Sequence, residues 1–292
     1  MTDTPPIAVE HPRVSELARD PLPLHGRVAL VTGVSRRDGI GYAVARRLAG
    51  YGASVFCHHF RPHDAEQPWG GDDVAAVLED VRAVAERHGQ HVTGVSADLS
   101  DPEAPQRVVD AATVEFGHVD IVVCNHARNG DDGPLSEVTA AMLDGHWAVN
   151  TRSSLLLARA FAAQHDGRDG GRLFFMTSGQ RQGPMVGEIC YAAAKGALAD
   201  ITLTVAEELA DRGITVNTVN PGPVQTGYLT AEMWHRARPM FPAGRYGFPD
   251  DPARLISWLS TDEARWITGQ VINTEGGFAR WRDSARDPSA PT

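Results

Sequence analysis

Short apolar runs and amphipathic stretches alternate along most of this chain. "RVALVTG" (27–33) is a nearly continuous apolar run ending in glycine, the pattern of a strand buried on both faces. "GYAVARRLAGYG" (41–52) follows with helical period and a glycine stop. The pair then recurs. "ASVFCHHF" (53–60) reads as a strand, "VAAVLEDVRAVAERHG" as a helix, "HVTGVSADL" as a strand, "PEAPQRVVDAATVEFG" as a helix and "VDIVVCNHA" (119–127) as a strand. A long helix is predicted over much of 137–165. "GRLFFMTS" is the next strand, "YAAAKGALADITLTVAEELADRG" the next helix, and "ITVNTVNPG" and "GQVINTEGG" two further strands. "RPHDAEQPWGGDD", after the second strand, is too rich in Pro and Gly for a regular element.

About seven rounds of strand and helix predict an α/β fold, a doubly wound parallel sheet (Rossmann-type) in a single domain. Residues 1–25 hold five prolines and no sustained period, which predicts a flexible N-terminal arm. The domain is expected over 26–281, with a tail at 282–292. Ligands of such sheets bind beyond the C-terminal ends of the strands. Gly33, Asp98, Asn125, Ser178 and Pro221 all fall just after predicted strands.

Composition narrows the classes. There are 27 Lys and Arg against 37 Asp and Glu, a net charge of −10. An acidic chain lacks the basic footprint of non-specific nucleic-acid binding, so no nucleic-acid partner is expected. Cys57, Cys124 and Cys190 lie far apart, which gives no metal-site spacing and suits a reducing compartment. No apolar run approaches a membrane span of roughly 20 residues, and the N-terminus lacks a basic-then-apolar signal pattern. A cytoplasmic protein with no membrane partner and no metal is expected.

Two stretches carry chemistry. "TGVSRRDGIG" (32–41) joins the first strand to the first helix, where glycines let backbone N–H groups approach a phosphate at a helix N-terminus. Gly33, Ser35, Gly39, Ile40 and Gly41 are the candidate contacts. Arg36 and Arg37 sit in the same loop and suit the 2′-phosphate of NADP. The second strand ends "CHHFRP", with no carboxylate until Asp64, so the acid that usually binds the free ribose of NAD is missing. NADP(H) is therefore expected in preference to NAD(H).

"YAAAK" (191–195) is the second stretch. Four residues make slightly more than one helical turn, so Tyr191 and Lys195 share a face. A free phenol has a pKa near 10, and a nearby ammonium favours the phenolate. At about 4 Å and an effective dielectric of about 20 the attraction is about 4 kcal/mol, an upper bound of about 3 pKa units. A Tyr191 pKa lowered toward neutrality is expected.

With these residues the sequence resembles the short-chain dehydrogenase/reductases, over about residues 26–280. The TG…GIG loop comes first. "ADL" (97–99) follows, whose Asp98 and Leu99 correspond to the adenine contact. "CNHA" (124–127) stands where the family has NNAG, with Asn125 matched. Then come Asn150, Ser178 and Tyr191-x3-Lys195, with thirteen residues from Ser to Tyr as in the family. "NPGPVQT" (220–226) resembles the motif facing the nicotinamide, through Pro221, Gly222, Val224 and Thr226.

There are two departures. The glycine loop is two residues longer than the usual TGxxxGIG, similar to the enoyl-reductase branch. Cys124, His126 and Ala127 replace three residues of NNAG, so the strand-holding role of its first Asn is lost or transferred. His126 reads as a satisfied structural histidine.

The resemblance implies a mechanism. Hydride passes between NADP(H) and a ketone or secondary alcohol, Tyr191 exchanges a proton with the oxygen, and Ser178 hydrogen-bonds that oxygen. Lys195 holds the nicotinamide ribose and Asn150 supports a water relay behind it. Catalytic residues are thus Asn150, Ser178, Tyr191 and Lys195, with Tyr191 and Lys195 also at the cofactor. The three residues between Tyr and Lys favour C=O reduction over the C=C reduction of enoyl reductases, where six intervene. A non-catalytic NADP-binding sensor or scaffold is a further alternative. Substrate contacts are expected from 179–188 and from a lid at 227–247, whose Tyr228, Met233, Trp234, His235, Met240 and Phe241 are candidates for an apolar lining. The resemblance also implies a homotetramer, with a homodimer next.

Overall fold

Residues 17–279 are described by a computed structural model of the chain. The strands are β1 (Val28–Thr32), β2 (Ser54–His59), β3 (Val92–Ser96), β4 (Ile121–Cys124), β5 (Gly171–Met176), β6 (Ile214–Asn220) and β7 (Val271–Asn273). They form one parallel seven-stranded sheet in the order β3-β2-β1-β4-β5-β6-β7. The order reverses between β1 and β4, where a doubly wound sheet opens a crevice.

Alternation along the strands sends side chains to two cores. Ala29, Val31, Val55, Cys57, Ile121, Val123, Phe174 and Met176 face one side. They pack on α1 (Ile40–Gly50), α3 (Val74–Ala85) and the helix Asp250–Leu259 through Val44, Leu48, Val77, Val81, Ile256 and Leu259. Leu30, Phe56, Val122, Cys124, Leu173 and Phe175 face the other, against α4 (Ala104–Phe116), α6 (Ser153–Gln164) and α7 (Ile189–Ala210). Strands buried on both faces explain the unbroken apolar runs.

Three expectations change. The Pro/Gly-rich stretch after β2 begins with a short helix, α2 (Arg61–Ala65), because Pro62 sits in its first turn, where a missing N–H costs nothing. The long helix over 137–165 is three pieces: α5 (Ala140–His146), a π-helical segment (Trp147–Arg152) and α6. π-segments widen a helix locally and recur at functional sites. Finally, α7 has a mean hydropathy of 1.3 and is long enough to cross a membrane. It instead buries Ala194, Lys195, Leu198, Thr202, Ala206 and Leu209 within the fold, as the core helix of an α/β sheet does. The expected arm and tail fall mostly on residues 1–16 and 280–292, outside the described residues. The last part of the arm packs on the body, with Leu24 fully buried and its N–H bonded to the Tyr51 carbonyl (2.9 Å).

Candidate active site

A cleft of about 1090 Å³ runs along the C-terminal ends of the strands. Among the predicted residues, Gly33, Ser35, Arg36, Gly39, Ile40, Asp98, Leu99, Asn125, Ser178, Tyr191, Lys195, Pro221, Gly222, Val224 and Thr226 line it. Gly41, Arg37 and Asn150 do not.

Gly41 supports the loop from beneath. A Cβ there would lie 2.4 Å from the Gly33 carbonyl oxygen and 2.6 Å from Asn125 Nδ2. Gly33 itself has φ +75°, and its Cβ would meet Asn125 Nδ2 at 2.8 Å. Asn125 Nδ2 donates to the Thr32 carbonyl (2.9 Å), closing the loop onto β4. This tight backbone cradle at the start of α1 fits the diphosphate of a dinucleotide.

The arginines part company. Arg37 turns to the outer face, where it pairs with Asp80 (2.6 Å). Arg36 reaches into the cleft. Its Nε donates to Asp64 (2.9 Å), its Nη1 to the Thr226 carbonyl (2.8 Å), and its guanidinium lies 5.3 Å from the Trp69 ring. Asp64, which the sequence leaves too far down the chain, is carried back by α2. It also accepts from Ser35 Oγ (2.5 Å) and is buried. A carboxylate is therefore present beside the glycine loop, committed to Ser35 and Arg36. Pro62, the second residue of that Pro- and Gly-rich segment, is the signal for the turn.

His58 and His126 fill the floor near the loop. His58 Nε2 donates to the Ala97 carbonyl (2.9 Å), and its Nδ1 accepts from Gly33 N–H (3.4 Å). Burial pushes its pKa down to about 4. His126 Nδ1 meets Thr32 Oγ1 (2.7 Å), and its Nε2 meets Ser153 Oγ (2.6 Å) and the Val149 carbonyl (3.0 Å). Burial holds its pKa well below the ordinary range. His126 thus ties β1 to the π-segment and α6. Cys124, buried in the core, meets only the Ser154 carbonyl at 3.9 Å. His126 is thus hydrogen-bonded at both ring nitrogens, as expected of a structural histidine, and it also lines the cleft.

At the other end, Ser178 follows β5 and Tyr191 occupies the first turn of α7, and both line the cleft. Lys195 is 2% exposed, and its ammonium lies 5.8 Å from the Tyr191 ring. It donates to the Met176 carbonyl (3.0 Å). The phenol is not lowered as the sequence spacing suggests. Burial pushes it up to about 12, the Glu188 carboxylate adds to the rise, and the neighbouring Ser178 hydroxyl offsets only part. The ammonium is aimed at a carbonyl rather than the phenol, and burial lowers Lys195 itself to about 8. Asn150 is fully buried, and its side chain faces the 128–133 loop. Its Oδ1 accepts from Arg128 N–H (2.7 Å), and its Nδ2 donates to the Arg128 carbonyl (3.0 Å) and to His146 Nδ1 (3.3 Å).

Beyond Tyr191 the cleft is lined by Met185, Tyr228, Leu229, Met233, Tyr246 and Phe278. Of the expected lid residues, Tyr228 and Met233 line it directly. Trp234 stacks on Tyr246 (5.3 Å), and Phe241 packs on Tyr246 and Phe278 (4.8 Å each). His235 and Met240 do not line it.

Comparison with known proteins agrees with this geometry. Residues 33–279 match a family described as enoyl-(acyl carrier protein) reductase, within the short-chain dehydrogenases. The uncharacterized oxidoreductase YjdA of Bacillus subtilis is 41% identical over 256 residues, 87% of this chain and 97% of that relative. The chain belongs to the short-chain dehydrogenase/reductase family. Among solved structures, the promiscuous reductase LugOII catalyses keto-reduction at C1 during lugdunomycin biosynthesis. It is 33% identical with a TM-score of 0.75, covering 88% of this chain and 98% of its own. A blue fluorescent protein from a metagenomic library, solved in complex with NADPH, is 32% identical with a TM-score of 0.74, covering 88% and 99%. The protein is an oxidoreductase of this family, with the nicotinamide cofactor and small-molecule substrate that membership brings.

Proposed function

We propose that the protein is an NADP(H)-dependent ketoreductase, interconverting a ketone and a secondary alcohol through Ser178, Tyr191 and Lys195. The observation that carries the reading is that Ser178, Tyr191 and a buried Lys195 line one end of a cleft whose far end is a glycine cradle. When bound, the nicotinamide supplies the hydride. Tyr191, held at about 12, keeps its proton at neutral pH and gives it to the carbonyl oxygen. Ser178 donates to the same oxygen. Lys195, charged below about pH 8, holds the nicotinamide ribose and stabilises the phenolate that forms. Asn150 acts by fixing the loop it grips.

The cofactor preference rests on Arg36, the arginine of the loop that lines the cleft. Sharing it with Asp64 narrows the margin without cancelling it, since the Asp64 carboxylate is also bonded to Ser35. A relative and a solved neighbour are linked to NADPH by name, the aldehyde reductase-like protein of Arabidopsis thaliana and the metagenomic protein. The substrate end is mainly apolar and aromatic, which suits an apolar or aromatic ketone better than a sugar-like alcohol. The family name speaks for C=C reduction; the Tyr191–Lys195 spacing speaks for C=O. The chain is further proposed to form a homotetramer, or failing that a homodimer, through the face where Leu143, Trp147 and Leu203 are exposed. Light scattering at micromolar concentration tests this, and a monomer mass contradicts it.

The test of function is a ketone and alcohol panel followed by nicotinamide absorbance with both cofactors. Turnover of ketones with NADPH, lost in Tyr191→Phe, supports the reading. Tight NADPH binding with no turnover across the panel overturns it in favour of a sensor or scaffold.

A further inference from the structure

The first turn of α7 lacks a cap from its own neighbourhood. Glu188, at the N-cap position, makes no side-chain bond to the turn. Helix N-termini leave their first N–H groups without partners inside the helix, and those groups must be satisfied elsewhere. Here the partner comes from the loop after β4, 58 and 59 residues back along the chain. Asp132 Oδ1 accepts from Cys190 N–H (2.9 Å) and Oδ2 from Tyr191 N–H (2.8 Å), while Oδ1 also accepts from Gly133 N–H (2.9 Å).

The loop that carries Asp132 is itself held. Asn150 grips both the N–H and the carbonyl of Arg128. His146 Nε2 donates to the Gly130 carbonyl (2.8 Å), which leaves its Nδ1 to accept from Asn150. Arg128 pairs with Asp131 (2.5 Å), whose φ of +46° bends the loop. The circuit closes on the tyrosine ring, where His146 packs edge-on at 6.2 Å. Tyr191 is thus held at its backbone by Asp132 and at its ring by His146, and both holds trace to the junction of α5 with the π-segment.

We propose that Asp132 is a positioning residue for Tyr191, capping the catalytic turn of α7 from the β4 loop, with Asn150 and His146 fixing that loop. The inference rests on the assignment of Tyr191 as proton donor. Burial pushes the Asp132 carboxyl up, but the N–H bonds from Tyr191, Cys190 and Gly133 outweigh it and hold it ionised at neutral pH. Its charge also opposes the positive end of the α7 dipole beside the phenol.

Two consequences follow from removing it. Misplacing a reacting group by about 1 Å costs about 100-fold, so Asp132→Ala lowers kcat by about 10- to 100-fold, with NADPH affinity and ketone KM within about threefold. Asp132→Asn keeps the shape and one acceptor oxygen, and recovers part of kcat. In both variants the uncompensated dipole favours the phenolate and disfavours the ammonium, so the Tyr191 phenol titrates at lower pH than in the wild type. The titration is read by NMR on ring-labelled tyrosine in the full chain, with the Tyr191 signal assigned by Tyr191→Phe. A purely structural cap does not move it in the Asn variant. Unchanged kcat in folded Asp132→Ala, or an unmoved Tyr191 titration in Asp132→Asn, overturns the proposal. A wild type that reduces no ketone overturns the functional reading instead, while the NMR titration still decides the role of Asp132.

Discussion

The two ends of the cleft are built on opposite plans. At the substrate end the reacting groups sit close in sequence, on the end of β5 and the first turns of α7, and are braced by neighbours they do not touch along the chain. At the adenosine end the glycine loop is local, but what fills it comes from afar. Asp64 arrives through α2, the Thr226 carbonyl from beyond β6, and His58 from β2. Their titrations differ accordingly. Burial raises the phenol and lowers the ammonium at one end, so activity is expected to fall on the alkaline side as Lys195 loses its proton. Burial keeps two histidines neutral at the other, so the framework is expected to lose stability on the acid side.

The largest effect expected from breaking this contrast is at the phenol. Tyr191→Phe removes the proposed proton donor, so kcat is expected to fall by about 10²–10⁴-fold while NADPH affinity and thermal stability stay near wild type. Stopped-flow binding and steady-state rates check both halves. Retention of more than about a tenth of kcat is inconsistent with a general acid–base loss.

The next effect is the alkaline limb. Lys195 is charged below about pH 8 and neutral above it. Its kcat/KM with NADPH is expected to be level below that value and to fall about tenfold per pH unit above it. In Lys195→Arg, whose guanidinium stays charged, the limb disappears from whatever activity remains. A limb at the same pH in that variant assigns it to another group.

That Ser178, Tyr191 and Lys195 share one end of the cleft was legible because their relation is written in spacing. Tyr191 and Lys195 are one turn apart, and Ser178 ends a strand thirteen residues earlier. The sheet was legible for a similar reason, since strands buried on both faces show as apolar runs. What the spacing did not carry was the direction of the phenol's shift. That depends on where the ammonium points and on how much water the cleft removes, and both are tertiary facts. Asp64 and Asp132 were missed because their partners lie 28 and 29 residues away in one case and 58 and 59 in the other. Arg36 and Arg37 are adjacent in sequence, yet one lines the cleft and the other faces Asp80. Their partners, Asp64 and the Thr226 carbonyl for one and Asp80 for the other, come from distant parts of the chain, and a single sequence does not reveal them.

That divergence gives a smaller effect. A charge-assisted bond to a phosphate is worth about 1.5–3 kcal/mol, roughly one to two decades. Wild type is expected to prefer NADPH over NADH by about tenfold or more in kcat/KM. Arg36→Ala reduces that preference, and Arg37→Ala, which removes an outer-face ion pair, leaves it unchanged. Comparison of the two cofactors in the three proteins checks it; equal use of both by the wild type contradicts the assignment of Arg36.

The smallest effect is on stability. The pKa of His58 is about 4 when folded and near 6.5 when free, so between those values the unfolded chain binds more protons. Stability is expected to fall as pH drops from about 6.5 toward 4, by a few degrees in Tm. Calorimetry of wild type against His58→Gln checks it; an equal slope in the two proteins assigns the loss elsewhere.

The most direct test of the central claim is where hydride lands. An α,β-unsaturated ketone carrying an apolar ring offers both a C=O and a C=C to the same cleft. With NADPH deuterated at the transferable position, the account predicts deuterium on the carbinol carbon, an intact alkene, and no product from Tyr191→Phe. Deuterium on the β-carbon with the ketone retained would contradict it, and would place the reaction with the enoyl reductases.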